Sequence, residues 1–139
     1  MHAKTLPDAF RHPLRVYWED TDAGGVVFYA NYLKFFERAR TEWLRTLGFN
    51  QQQMLRDDGV MFVVADTAVR YLRAARLDDL IEVTVCVAEA ARASMRLQQQ
   101  AWRDGELLAE GSIRIGCVAA ARFRPCRIPA AILEKVQVQ

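Results

Sequence analysis

Hydrophobic and polar positions divide the chain into a short strand, one long helical stretch and a run of strands. Residues 14–18 are apolar and partly β-branched, which predicts a strand. Residues 19–25 are polar and end in two glycines, which predicts a loop. Over 29–47 the apolar residues Tyr29, Tyr32, Leu33, Phe36, Ala39, Trp43, Leu44 and Leu47 recur at spacings of three and four, the period of a helix. Phe35 widens that stripe, and Gly48 supplies a stop. A shorter helix is predicted over 51–56, before Gly59.

The rest reads as strands. Residues 61–71 are rich in Val, Phe and Thr, and 80–89 alternate with Ile81, Val83, Val85 and Val87 on one face. Residues 94–102 alternate more weakly, through Met95, Leu97 and Ala101. Asp104-Gly105 is a two-residue hairpin signal that leads into 107–119, where Leu107, Ala109, Gly111, Ile113, Ile115 and Cys117 share a face. Residues 129–136 suit a short amphipathic helix with Pro129 at its first turn.

A strand, a long helix and then four strands predict an α+β architecture in which hairpin joins make the later strands antiparallel. A helix apolar over so wide a stripe belongs inside the curl of the sheet. The sheet's outer edge then calls for a second subunit to cover it. The length of 139 residues fits a single domain over 1–139.

Composition narrows the chemistry. With 52% hydrophobic residues and a net charge of +2, disorder is excluded and nothing favours nucleic acid as a partner. The two histidines, His2 and His12, both lie in the first dozen residues, so a Ser-His-Asp triad or a multi-histidine zinc site would have to be built there. Cys86, Cys117 and Cys126 form no CxxC pair, and neither a metal centre nor a disulfide framework is expected. No cofactor is expected. Residues 1–13 lack the apolar run of a signal peptide, and no stretch approaches the ~18 apolar residues of a membrane span. A cytoplasmic, reduced protein is the expectation.

The informative segment runs from Tyr17 to Tyr32. Glu19, Asp20 and Asp22 place three carboxylates within four positions, between a strand and a helix. Gly24 and Gly25 let the backbone turn sharply and approach a bound group. Val26, Val27 and Phe28 form an apolar wall, and the helix expected at Tyr29 presents free N–H groups. Such N–H groups can hold a developing oxyanion while a carboxylate attacks or activates water. An aspartate before a glycine-rich turn is more often a plain turn former, and both readings of Asp22 stand at this point. Asp20 reads as a brace of the loop. Glu37, Arg38, Arg40 and Glu42 read as a solvated helix face, with Arg38 and Glu42 at pairing distance. Asp78-Asp79 reads as the loop before a strand.

Several blocks resemble the hot-dog-fold acyl-CoA thioesterases of the 4-hydroxybenzoyl-CoA thioesterase type, and among them the branch associated with the bacterial Tol–Pal envelope system. They are Arg15-Val16-Tyr17, the run from Glu19 to Val27, Phe36-Glu37-Arg38-Ala39-Arg40-Thr41-Glu42, and Ala75-Arg76-Leu77-Asp78-Asp79. The resemblance covers about 14–129. It implies a long central helix wrapped by a curved antiparallel sheet of about five strands. It also implies hydrolysis of a CoA or acyl carrier protein thioester by a homodimer or homotetramer. By position, the catalytic carboxylate falls on Asp22 and the oxyanion donor on the Tyr29 backbone N–H. Gly24, Gly25, Val26, Val27, Phe28 and Asn31 then flank the substrate. Some members carry His in place of Tyr29 and Pro in place of Ala74. A backbone N–H survives the first change, and the second touches only a strand end.

Two rival readings remain at this stage. Asp20-Thr21-Asp22 after a strand resembles the DxD loop of Mg²⁺-dependent phosphatases. The same scaffold can also bind acyl groups, or act as an envelope-system interaction partner, without turnover. For CoA phosphates the arginines at 70, 73, 76, 92, 96, 122, 124 and 127 are a set from which no spacing selects one. Arg122-Phe123-Arg124 is the first choice among them.

Overall fold

The alternation and periodicity are realised in the order expected, in a computed structural model that describes residues 9–136 and 138. His2 lies outside the described residues, and His12 sits in the first strand. The chain runs β1 (Phe10–Arg15), a 3₁₀ turn at Trp18–Asp20, α1 (Asn31–Thr46), α2 (Gln51–Asp58) and β2 (Val60–Tyr71). It continues through β3 (Leu80–Ala90), β4 (Ser94–Arg103), β5 (Glu106–Ala119), β6 (Arg124–Pro125) and α3 (Ala130–Lys135).

The strands form one sheet in the order β1-β3-β4-β5-β2, with β6 added to β5. Every strand pair is antiparallel. No βαβ unit is present among the described residues, which counts against the DxD phosphatase reading. Asp104 and Gly105 both take positive φ, 48° and 77°, as a tight two-residue hairpin between β4 and β5 requires. β2 does not pair with its successor β3. It lies at the far edge, and residues 72–79 cross the end of the sheet to start β3.

α1 lies against the inner face of this sheet. It buries Tyr32, Phe35, Phe36, Ala39, Trp43 and Leu44 in one cluster with Ile81, Val83, Val85, Val87, Leu97 and Ile113. Each large side chain so buried contributes about 1.5–3 kcal/mol. The helix packs tightly over Gly111. A Cβ there would stand 3.1 Å from the Phe36 ring and 3.1 Å from Ile113 Cδ1, so a side chain at this position would crowd the helix against the sheet.

Four expectations are corrected. The first strand covers Phe10–Arg15, not 14–18. β1 is an edge strand paired only to β3, so Pro13 sits in it without costing an interior ladder bond. The long helix begins at Asn31, two residues later than the stripe suggests, and Tyr29 is 62% exposed. Arg40 is not on a solvated face: it is only 9% exposed, and its Nη1 donates to Gln99 Oε1 at 3.0 Å. Burial lowers its pKa, partly opposed by the charge of Glu37. Glu42 pairs with Arg45, one turn on, instead of with Arg38.

Candidate active site

The segment between β1 and α1 is a closed knot of backbone and carboxylate hydrogen bonds. Asp20 is its centre. The Tyr17 N–H donates to Asp20 Oδ2 at 2.8 Å, which closes the 3₁₀ turn. The Asp20 carbonyl accepts the Phe28 N–H at 3.0 Å and Asn31 Nδ2 at 2.8 Å. One 5%-exposed residue therefore ties the end of β1 to the start of α1. Asn31 spends its amide on this brace.

Asp22 stands at the tip. Its N–H donates to the Val26 carbonyl at 2.9 Å, and its own carbonyl accepts the Gly25 N–H at 3.0 Å. Its Oδ1 accepts the Gly24 N–H at 2.8 Å, an Asx turn that fixes the side chain and leaves the carboxylate exposed. Gly25 takes φ +78°, a left-handed conformation that disfavours other residues. The chain then returns antiparallel to itself, Thr21 pairing with Val27, and Val26 pairs with Arg76.

Val27 is buried in the core, and its N–H donates to the Ala75 carbonyl at 2.8 Å. The Ala75 N–H donates to the Tyr32 hydroxyl at 3.1 Å. Burial raises the Tyr32 pKa, against smaller lowering by that bond and by Arg103. Phe28 is exposed and packs on Tyr29 at 4.8 Å between ring centroids. Tyr29 in turn meets Tyr71 edge-on at 5.9 Å, and Tyr71 meets Tyr32 at 5.5 Å.

The first N–H groups of α1 are already used. Those of Asn31, Tyr32 and Leu33 donate to the carbonyls of Phe28, Tyr29 and Ala30. Among the described residues, the Tyr29 and Ala30 N–H groups have no acceptor. A donor is therefore open at Tyr29, in the turn that precedes the helix and not inside it.

Sequence reasoning missed the support of this loop. Arg103, at the end of β4, donates to Asp79 Oδ2 at 2.7 Å, Glu106 Oε1 at 2.7 Å and the Ala74 carbonyl at 3.1 Å. Asp79 Oδ2 also accepts the Arg76 N–H at 2.8 Å. Partial burial alone would raise the Asp79 pKa, but these hydrogen bonds and the arginine charges hold it below the usual carboxylate range. The same contacts raise the Arg103 pKa. Arg103 belongs to no motif. The hairpin signal beside it was the one hint of its place.

The arginine set divides. Arg70, Arg73 and Arg96 are in ion pairs with Glu110, Glu106 and Asp66. Arg76, Arg92, Arg122, Arg124 and Arg127 are in none among the described residues, and of these Arg76 adjoins the loop through Val26. Two clefts, of about 320 and 180 Å³, run along the seam between α1 and β2 past Leu33, Glu37, Arg40, Val64 and Phe62. Neither is lined by Asp22 or Tyr29, which stand on open surface. No helix among the described residues is long and apolar enough to cross a membrane.

Against known proteins, residues 16–136 match the model of the thioesterase-like superfamily. The chain is 45% identical over 124 residues to an acyl-CoA thioesterase, YbgC, of Haemophilus influenzae, covering 89% of this chain and 91% of the relative. It is 41% identical over 125 residues to an acyl-CoA thioester hydrolase, YbgC, of Escherichia coli, covering 89% and 92%. Among solved structures, a probable thioesterase from Bartonella henselae superposes with a TM-score of 0.84 at 31% identity, over 87% of this chain and 99% of that one.

Proposed function

The chain belongs to the thioesterase-like superfamily and is a thioester hydrolase of hot-dog fold, and from that premise we propose that it cleaves acyl-CoA thioesters at the Asp22–Tyr29 loop. The observation that carries the reading is the open Tyr29 N–H within the same braced loop as the exposed Asp22 carboxylate. The Tyr29 N–H donates to the thioester oxygen and stabilises the charge that grows there. Asp22 attacks the carbonyl carbon or takes the proton of an attacking water. The thiolate leaves and takes up a proton; on the first route water then cleaves the acyl–Asp22 anhydride, and on either route the acyl group ends as a free acid. The loop brings its own order: Asp20, Asn31 and Gly24 hold the carboxylate and the N–H in place before substrate arrives.

Phe28 and Val26 flank the acyl group, while Val27 acts from beneath through the core. Arg76 is the residue we assign to a CoA phosphate, because it is in no ion pair among the described residues and adjoins the Asp22 turn. CoA is the carrier assigned here. An acyl carrier protein would present the same phosphopantetheine thioester. The open setting of the loop and the unpaired outer edge of β2, twelve residues long, support a homodimer whose second copy walls the acyl site. Membership of the Tol–Pal-associated branch rests on the motif blocks alone.

A panel of CoA thioesters assayed by released free thiol, run on wild type and Asp22→Asn, tests the proposal. The expected outcome is a fall in kcat of about 10²–10⁴-fold at unchanged melting temperature. Turnover by Asp22→Asn at the wild-type rate would overturn it.

A further inference from the structure

Away from this loop, two thiols lie together that the spacing of the cysteines does not pair. Cys117 is in β5 and buried, and Cys126 follows β6 and is half-buried. The register of β5 with β6, Val118 opposite Pro125 and Ala119 opposite Arg124, continues to place Cys117 opposite Cys126. The Cys126 N–H donates to the Cys117 carbonyl at 2.9 Å, and the two Sγ atoms are 3.5 Å apart. Directly opposed residues of antiparallel strands have Cα atoms about 4.5–5.5 Å apart, inside the span a disulfide bridges. A side-chain rotation of either cysteine closes the remaining gap.

We propose that Cys117 and Cys126 form a reversible disulfide that clamps the C-terminal segment to β5 when the protein meets hydrogen peroxide. Peroxide reaches Cys126 first, because Cys117 is buried. The Cys126 sulfur attacks one peroxide oxygen, breaks the O–O bond and becomes a sulfenic acid, with one water released. The Cys117 sulfur then attacks Cys126 Sγ. The S–O bond breaks, and the departing hydroxide takes the Cys117 proton as a second water. Two thiols are oxidised by two electrons and one peroxide is reduced. Burial and the neighbouring thiol push the Cys117 pKa up to about 12, which makes it the less reactive of the two towards peroxide.

The clamp has a segment to hold. Past Cys126, the Ile128 N–H donates to the Arg92 carbonyl at 2.7 Å, and Ile128 and Ile132 are buried in the core. Cys117 pairs with Phe62 at the start of β2, whereas Tyr71 ends it, so the bond forms roughly 30 Å along that strand from the thioesterase loop. Stability is expected to change, and catalysis to stay as it is.

The test treats the reduced full-length chain with hydrogen peroxide, blocks remaining thiols with N-ethylmaleimide under denaturing conditions, and reads intact mass and tryptic peptides. The expected result is loss of two hydrogens, reversed by dithiothreitol, with peptides 115–122 and 123–127 joined and Cys86 alkylated. Cys126→Ser should lose no hydrogens, and the oxidised wild type should melt several degrees above the reduced form. Oxygen added at Cys126 without a cross-link overturns the proposal, as does a bond to Cys86 or to another chain. An oxidised form that melts no higher than the reduced one overturns the clamp.

Discussion

The Tyr32 hydroxyl accepts the Ala75 N–H at 3.1 Å, so a helix residue and a loop residue 43 positions apart hold each other in a buried setting. The same Ala75 offers its carbonyl to Val27. Through this one residue the crossing segment between β2 and β3 is sewn to both α1 and the loop that carries Asp22. Tyr32→Phe leaves a buried N–H without a partner. It should cost about 1–3 kcal/mol, read as a lower urea midpoint at unchanged m-value, with a smaller loss of kcat than Asp22→Asn shows.

Asp20 and Asp22 should separate by readout. Asp20→Ala removes the acceptor of the Tyr17 N–H and should lower stability by about 0.5–2 kcal/mol, in the manner of a lost cap. The loop loosens with it, so kcat falls as well. Asp22→Asn should spare the melting temperature. Thermal melts beside thiol-release rates check the contrast, and an Asp20→Ala variant that melts like wild type would refute the bracing role.

The Asp79–Arg103 pair gives an acid limb. The folded pKa of Asp79 lies below its unfolded value of about 3.9. The unfolded chain therefore binds the proton more readily, and stability rises with pH across this window. The contribution is complete above about pH 4–5 and is lost as pH falls through the folded pKa. Denaturant titrations from neutral pH down to about pH 3 should show a shallower acid slope in Asp79→Asn than in wild type.

Arg40 and Gln99 should be coupled. Gln99 is fully buried, and its amide donates to the Phe36 carbonyl at 3.0 Å, which orients its oxygen towards Arg40. Gln99→Leu strands the guanidinium and should cost about 1–3 kcal/mol. Adding Arg40→Met removes the stranded charge and should restore much of that loss. A double-mutant cycle in urea measures the coupling, and strict additivity would deny it.

Arg76→Ala should raise KM for an acyl-CoA about 10-fold or more while kcat changes little, as expected for a phosphate contact made equally in ground and transition states. The same variant assayed on an N-acetylcysteamine thioester, which lacks the nucleotide, should match wild type. A fall in kcat on both substrates would count against the assignment.

Much of this was legible in the residues. Ile81, Val83, Val85 and Val87 alternate and are all buried, because a strand with one covered face has a period of two whatever lies around it. Asp104-Gly105 marks its hairpin because both positions need positive φ. Asp20 reads as a brace from the turn chemistry of one short stretch, whereas the exposure of Asp22 appears only in the structure. Tyr29 and Arg40 were misread for a common reason. The helical stripe counts Tyr29 as apolar and Arg40 as polar, yet Tyr29 stands exposed in the turn before the helix, and Arg40 lies where Gln99 offers a buried acceptor.

The sequence by itself therefore determined most of the elements, the hairpin that pairs β4 with β5 and the loop that carries Asp22, since those depend on residues close along the chain. Only the tertiary structure decided what stabilises that loop. Ala75 reaches it from a crossover that Asp79 and Arg103 hold in place, and Cys117 meets Cys126 only because β6 folds back on β5. Contacts of that kind leave no periodic trace. They follow from which strand lies at which edge, and that is settled by how the whole sheet closes around α1.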